Sequence, residues 1–251
     1  MSSLFARLGC QSARDRLIQP IMLKNSLSVF VGVSLVLTGF AGAQDKKDAK
    51  KEAAPAAKKA AGLTDPSKAT AKAPAKFKAK FATTAGDFTI EVTREWSPLG
   101  ADRFYNMIEV GFFEDVAIFR AIEGFMAQFG IHGDPAISKN WKNAKLQDDP
   151  KGKASNVPGT ISFATSGKNS RTTQMFINFG NNARLDGMGF TPFGKVVEGI
   201  DNVNKIYKGY GEGAPSGRGP SQGRIQSQGN AYMKKDFPKL TYIKSVTIAK
   251  D

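Results

Sequence analysis

The chain has 251 residues, 41% hydrophobic and 23% charged, which suits a globular protein with a real core. Its formal net charge is +14, but residues 1–43 carry four Lys/Arg against one Asp and residues 44–80 eleven Lys against four acids, which leaves +4 on residues 81–251. A basic stripe on folded surface is therefore not expected, and specific nucleic-acid binding is disfavoured. Its one cysteine, Cys10, lies near the N-terminus, so no disulfide framework, cysteine zinc site or cysteine nucleophile is available to the rest of the chain.

Leu27 to Phe40 is a mostly apolar run shorter than the ~20 residues a membrane span needs. Lys24 precedes it, and Ala41-Gly42-Ala43 follows with the small-x-small pattern of a signal-peptidase site. Residues 1–43 therefore read as a signal peptide cleaved after Ala43, with Met22-Leu23-Lys24-Asn25 pointing to Met22 as the natural start. An uncleaved N-terminal anchor is the rival reading. Cleavage implies an exported protein, periplasmic or otherwise extracytoplasmic, with no stable membrane insertion afterwards. Residues 44–76 are Ala, Lys and Pro with almost no large apolar side chains. They read as a disordered, positively charged linker, because they cannot bury enough surface to offset their ordering entropy.

A folded domain is expected over 77–251. Phe77–Thr83 and Asp87–Val92 alternate as strands about Ala85-Gly86, a hairpin signal. Ser97-Pro98 predicts a helix start, Phe104, Met107, Ile108 and Phe112 fall near helical spacing, and Gly111 stands where a C-terminal cap would. Short apolar runs follow at Val116–Ile122, Phe125–Phe129, Thr160–Ala164, Gln174–Phe179 and Phe193–Val197. Val203, Ile206 and Tyr207 suggest a second helix, Gly209 to Gly229 a loop, and Leu240–Ile248 a closing strand. Many short strands with two helices predict a mainly β fold, a closed antiparallel barrel with a helix over each end.

The usual catalytic constellations fail. The single histidine, His132, sits in a Gly/Pro-containing loop and reads as a surface residue; it leaves Ser-His-Asp chemistry and multi-histidine metal sites without material. Gly189 to Lys195 mimics a phosphate-binding loop, but Val196 stands where Ser or Thr must hold magnesium.

Three blocks remain. The first has Arg120 two residues before Ile122, then Gly124-Phe125-Met126-Ala127-Gln128. The second is Gly159-Thr160-Ile161-Ser162-Phe163-Ala164, followed between Ser170 and Gly180 by Thr173-Gln174-Met175-Phe176-Ile177. The third is Leu185-Asp186-Gly187 followed by Phe193-Gly194-Lys195-Val196-Val197-Glu198-Gly199. In this order and spacing the chain resembles the cyclophilin-type peptidyl-prolyl cis/trans isomerases, and the long Gly/Pro/Ser insert suggests a bacterial branch. The resemblance implies a cyclophilin-like barrel of eight antiparallel strands capped by two α-helices, with no cofactor and no metal. It implies Arg120 as the catalytic cation. Phe125, Met126, Phe176 and Leu185 would form a proline pocket, and Gln128 would orient Arg120 and bond the substrate backbone. Ala164, Thr165 and Gln174 would line the groove, with Phe190 at the rim. Glu123, Phe119 and Arg184 depart from the common Pro, His and Trp of the eukaryotic pattern. The partners implied are proline-containing polypeptides, bound by a monomer. Two other readings stay open: a non-catalytic proline-binding module or holdase using the same groove, and a surface-binding protein in which the basic linker does the work.

Overall fold

The computed structural model describes residues 59–151 and 153–249. The expected signal peptide, the Met22 start and the first part of the expected linker lie outside the described residues. Among the described residues, nine strands form one antiparallel sheet: β1 (Lys76–Thr83), β2 (Phe88–Thr93), β3 (Val116–Ile118), β4 (Arg120–Ile122), β5 (Met126–Phe129), β6 (Thr160–Phe163), β7 (Met175–Asn178), β8 (Pro192–Glu198) and β9 (Thr241–Ile248). Their order is β3-β9-β1-β2-β8-β6-β7-β5-β4. The two ends of this order, β3 and β4, are consecutive in the chain and separated by Phe119 alone, so the sheet returns on itself as a nearly closed barrel. Eight expected strands become nine because one is interrupted at Phe119. Its first half pairs with β9 and its second with β5, while the Phe119 N–H donates to the Gln128 carbonyl at 3.1 Å.

Successive side chains on a strand point to opposite faces. In β1 this places Phe77, Ala79 and Phe81 in the core and leaves the intervening lysines outside. Phe81 stacks on Phe88 at 4.7 Å and meets Phe129 edge-on at 6.1 Å, while Phe193 packs at 5.1 Å from both Phe104 and Phe163. Such aromatic pairs combine large apolar burial with preferred ring geometry.

The helices differ in part from expectation. Helix α1 (Pro98–Glu109) forms as predicted and buries Phe104, Met107 and Ile108. A short α2 (Pro135–Trp141) follows β5. The second expected helix, near Val203, shrinks to α3 (Ile200–Asn204), five residues long. The long second helix is α4 (Gln222–Asp236), which begins inside the segment expected to be loop. Its Gly and Gln content conceals a helical spacing of Ile225, Tyr232 and Met233, which pack against Ala117, Phe119 and Leu240. Gly229 interrupts it with a positive φ of 58°; a β-carbon there would lie 2.0 Å from the Gly133 carbonyl oxygen.

Of the linker expected over 44–76, the described part, residues 59–76, is ordered. Residues 59–64 are helical, Pro66–Lys68 form a 3-10 turn, and the stretch docks through hydrogen bonds, with Leu63, Ala69 and Ala73 packed against the core. Asn106 and the Ala71 backbone exchange two hydrogen bonds at 2.8 and 2.6 Å, Asp102 accepts from the Ala73 N–H at 2.8 Å, and Trp141 Nε1 donates to the Leu63 carbonyl at 2.7 Å. Composition alone cannot show such docking, because the partners sit on other elements.

Ser97 precedes α1 as expected but does not cap it through its own hydroxyl. The cap comes from Asp149, whose carboxylate accepts from the Leu99 and Gly100 N–H groups at 2.8 and 2.9 Å and from the Ser97 hydroxyl. Arg171 pairs with Asp149 at 2.8 Å, and both side chains are buried, at 2% and 0% exposure. Breaking such a pair leaves an uncompensated buried charge, which costs about 3–5 kcal/mol. Asp149→Ala should lower stability by that amount, read as a reduced denaturant midpoint.

His132 is buried, against the expected surface position. Its ring packs 5.2 Å from Phe112, and Nδ1 accepts from the Asp134 N–H at 2.9 Å. Burial lowers its pKa from the ordinary 6.5. The unfolded chain therefore binds the proton more readily, and stability falls as pH drops below 6.5 towards the lowered folded value. Since the chain has one histidine, His132→Gln should flatten that limb in denaturation midpoints measured between about pH 7 and pH 5.

Candidate active site

The β4–β5 hairpin sets the site by its register. Antiparallel pairing places Arg120 opposite Gln128, Ala121 opposite Ala127, and Ile122 opposite Met126. On the other side, β5 pairs with β7 so that Gln128 faces Phe176. Alternation then separates two sets of side chains. Ala127, Phe129, Met175 and Ile177 belong to the main core, whereas Met126, Phe176 and Leu185 form a second cluster with Ile122, Phe125, Ala164 and Phe190 packed against it.

The turns that carry the remaining residues are held by polar contacts. The Phe125 carbonyl accepts from the Phe179 N–H at 2.9 Å and from Asn182 Nδ2 at 2.8 Å. Gly180 lets this turn approach closely, since a β-carbon there would lie 2.1 Å from the Gly124 carbonyl oxygen. Leu185 sits in a 3-10 turn, Ala183–Met188. Asp186 ties that turn to the Asn156 N–H and side chain at 2.9 and 2.7 Å. Asn156 Nδ2 also donates to the Phe190 carbonyl at 2.7 Å, and the Phe190 ring stands 5.7 Å from Phe176, edge to face.

Of the ten residues singled out in the sequence, nine line one open cavity of about 220 Å³: Arg120, Phe125, Met126, Gln128, Ala164, Thr165, Phe176, Leu185 and Phe190. Gln174 lies next door, in a more polar groove of about 400 Å³ that shares Gln128, Ala164 and Thr165 and adds Lys142 and Lys145. The two are joined by a hydrogen-bond relay. Arg120 Nη1 donates to Gln128 Oε1 at 2.9 Å, and Gln128 Nε2 donates to Gln174 Oε1 at 2.8 Å. Two guanidinium groups approach the Phe125 ring, Arg120 at 5.8 Å and Arg184 at 5.2 Å. His132 does not line the cavity.

Sequence reasoning missed two residues. Gln222, at the start of α4, completes the cavity wall. Glu212 forms a bidentate ion pair with Arg120, accepting from Nε and Nη2 at 2.6 Å each. Its signal was faint: it is the only acid between Asp201 and Asp236. The insert that carries it is fixed to the barrel by an antiparallel bridge between Gly211 and Ala121.

The chain is similar in sequence and in fold to known proteins. Residues 78–229 match the model of the cyclophilin type peptidyl-prolyl cis-trans isomerase family. The chain belongs to that family. It is 34% identical to peptidyl-prolyl cis-trans isomerase A of Dickeya dadantii over 129 residues, covering 49% of this chain and 67% of the relative. It is 29% identical to peptidyl-prolyl cis-trans isomerase B of Escherichia coli over 178 residues, covering 67% of this chain and 98% of the relative. The fold matches the crystal structure of a Cryptosporidium parvum cyclophilin type isomerase with a TM-score of 0.53 at 18% identity, over 70% of this chain and 99% of the other. A second structure of that protein, obtained in the presence of the dipeptide Ala-Pro, matches with a TM-score of 0.52.

The Arg120 hydrogen bond holds the Glu212 carboxyl below its ordinary 4.5. The carboxylate is thus kept down to lower pH than in an unpaired glutamate, and the ion pair is lost only as pH falls through that lowered value. A carbon-detected NMR titration of the Glu212 carboxyl should give a midpoint below 4.5 in the native chain and a higher one in Arg120→Ala.

Proposed function

We propose that the isomerase activity of the family is carried in this chain by Arg120, acting on proline-containing polypeptides held in the 220 Å³ cavity. Rotation about a peptide bond meets a barrier of ~18–20 kcal/mol, because the nitrogen lone pair is delocalised into the carbonyl. The cis and trans forms of X-Pro differ by only about 1 kcal/mol, so the reaction needs faster crossing and no energy input. As the amide twists, the proline nitrogen becomes pyramidal and recovers its lone pair. A fixed cationic donor beside that nitrogen stabilises the twisted form more than either planar form, which is the condition for catalysis.

The observation that carries this reading is where the guanidinium meets the apolar cluster. Nη1 lies 2.9 Å from Gln128 Oε1 and 3.9 Å from Met126 Sδ, both residues of the cavity wall. A guanidinium has five N–H donors. Glu212 takes two and Gln128 one; of the two left, one is on Nη2, and the Nη1 hydrogen on the cavity side meets only the weak acceptor Met126 Sδ, which a substrate can displace. Met126, Phe176, Leu185 and Phe125 surround the proline ring, and Gln128, Ala164, Thr165 and Gln174 meet the neighbouring backbone. Phe190 closes the rim. The dipeptide Ala-Pro used with the Cryptosporidium protein is the kind of ligand this arrangement suits. Export rests on the apolar run and the Ala41-Gly42-Ala43 site, so the clients are polypeptides outside the cytoplasm, met by a monomer.

The test is isomerisation of a short Ala-Pro peptide by the purified protein beside Arg120→Ala. The wild type should accelerate the reaction and the variant should lose at least about tenfold in kcat/KM, roughly 1.4 kcal/mol of transition-state stabilisation, with its near-ultraviolet circular dichroism unchanged. A folded wild type that binds the peptide without accelerating it would make the groove a binding module.

A further inference from the structure

We propose that Glu212 is a positioning residue for the reaction: its carboxylate locks the Arg120 guanidinium in the orientation that serves the twisted amide. The inference rests on the reading of Arg120 as the donor.

Three observations carry it. First, the ion pair uses one edge of the guanidinium. Nε and Nη2 donate to the two carboxylate oxygens at 2.6 Å, while Nη1 is turned to Gln128 and Met126. Glu212 is not among the residues that line the cavity, so it grips Arg120 from behind and leaves the substrate edge open. Second, the carboxylate is itself held. The Gly213 N–H donates to Glu212 Oε1 at 2.8 Å, the Gly219 N–H donates to the Glu212 carbonyl at 2.8 Å, and the bridge between Gly211 and Ala121 ties the insert to the strand that carries Arg120. Third, the pair is open to solvent, with the Arg120 and Glu212 side chains 22% and 39% exposed, so screening limits what it adds to folding.

Arginine has a long stem, and one hydrogen bond to Gln128 leaves its plane free to swing. Fork-to-fork pairing with a carboxylate fixes that plane. A donor fixed before substrate arrives need not be reoriented during the reaction, so the benefit falls on the rotation step. Glutamate at 212 is therefore required for kcat more than for substrate affinity.

The experiment measures kcat and KM for a short Ala-Pro peptide with the full chain as wild type, Arg120→Ala, Glu212→Ala and Glu212→Asp, each checked by near-ultraviolet circular dichroism. Glu212→Ala should lose about tenfold in kcat with KM changed less than about twofold. Glu212→Asp, which keeps a carboxylate on a shorter stem, should recover part of the loss. If Glu212→Ala loses its near-ultraviolet signal, Glu212→Gln replaces it, keeping the side-chain volume without the second acceptor; the same drop in kcat is then expected. Unchanged kcat in the Glu212 variants beside an inactive Arg120→Ala overturns the inference and leaves the Arg120 reading standing. A rise in kcat/KM also overturns it, since Glu212 would then be competing with substrate, as does a loss confined to KM. Full activity in Arg120→Ala overturns both.

Discussion

The antiparallel pairing of β5 with β4 and β7 is the constraint on which the site depends. Side chains alternate with a period of two, so a slip of one residue would exchange core and site completely. Met126 and Gln128 would turn inward, and Ala127 and Phe129 would turn to the groove. The core defends the register: Phe129 packs against Phe81 and Phe113, and Ala127 and Ile177 are fully buried. The placement of Arg120 is thus enforced from the opposite face of the same strands, by core residues outside the cavity wall.

Loops that complete the cavity have no such sheet register, and each is held by a buried or partly buried polar group instead. Asn156 joins Asp186, Ser162 and the Phe190 carbonyl, fixing the turn that presents Leu185 and the rim. Asp149 and Arg171 tie the 144–150 segment to the start of α1, next to the groove that contains Gln174. In a reaction without a covalent intermediate, the protein can contribute only placement and electrostatics. Hydrogen-bonded polar networks suit that purpose because they specify one arrangement and resist small displacements, although Arg171 Nε itself has no hydrogen-bond partner.

Legibility in the sequence followed the physical range of each feature. Strands such as Phe77–Thr83 show their alternation locally, and the hairpin carrying Arg120 and Gln128 brings its partners together within nine residues. The pocket residues were readable because the resemblance supplied what local pattern could not. Failures came where partners are distant. Residues 59–76 look unfoldable by composition, yet they dock on Asp102, Asn106 and Trp141. Helix α4 was hidden by its glycines and glutamines, while Ile225, Tyr232 and Met233 are the apolar side chains that mark its buried side. His132 lies two residues from the turn at Asp134, but Phe112 covers it from another element.

Glu212 is the sharpest case, because local sequence gives no reason to connect it with Arg120, 92 residues away. The connection exists because the insert after α3 runs back along β4, where Gly211 bridges Ala121. An arginine with a vacant edge beside an apolar pocket would be free to bend towards water or towards any nearby acceptor. The fold removes that freedom by giving the edge a carboxylate of its own. The opposite edge then meets Gln128, which is in turn held by Gln174 from the strand-preceding loop of β7. Arg120 is consequently fixed from two sides by groups on three separate segments, with its Nη1 turned to Gln128 and Met126 of the cavity wall.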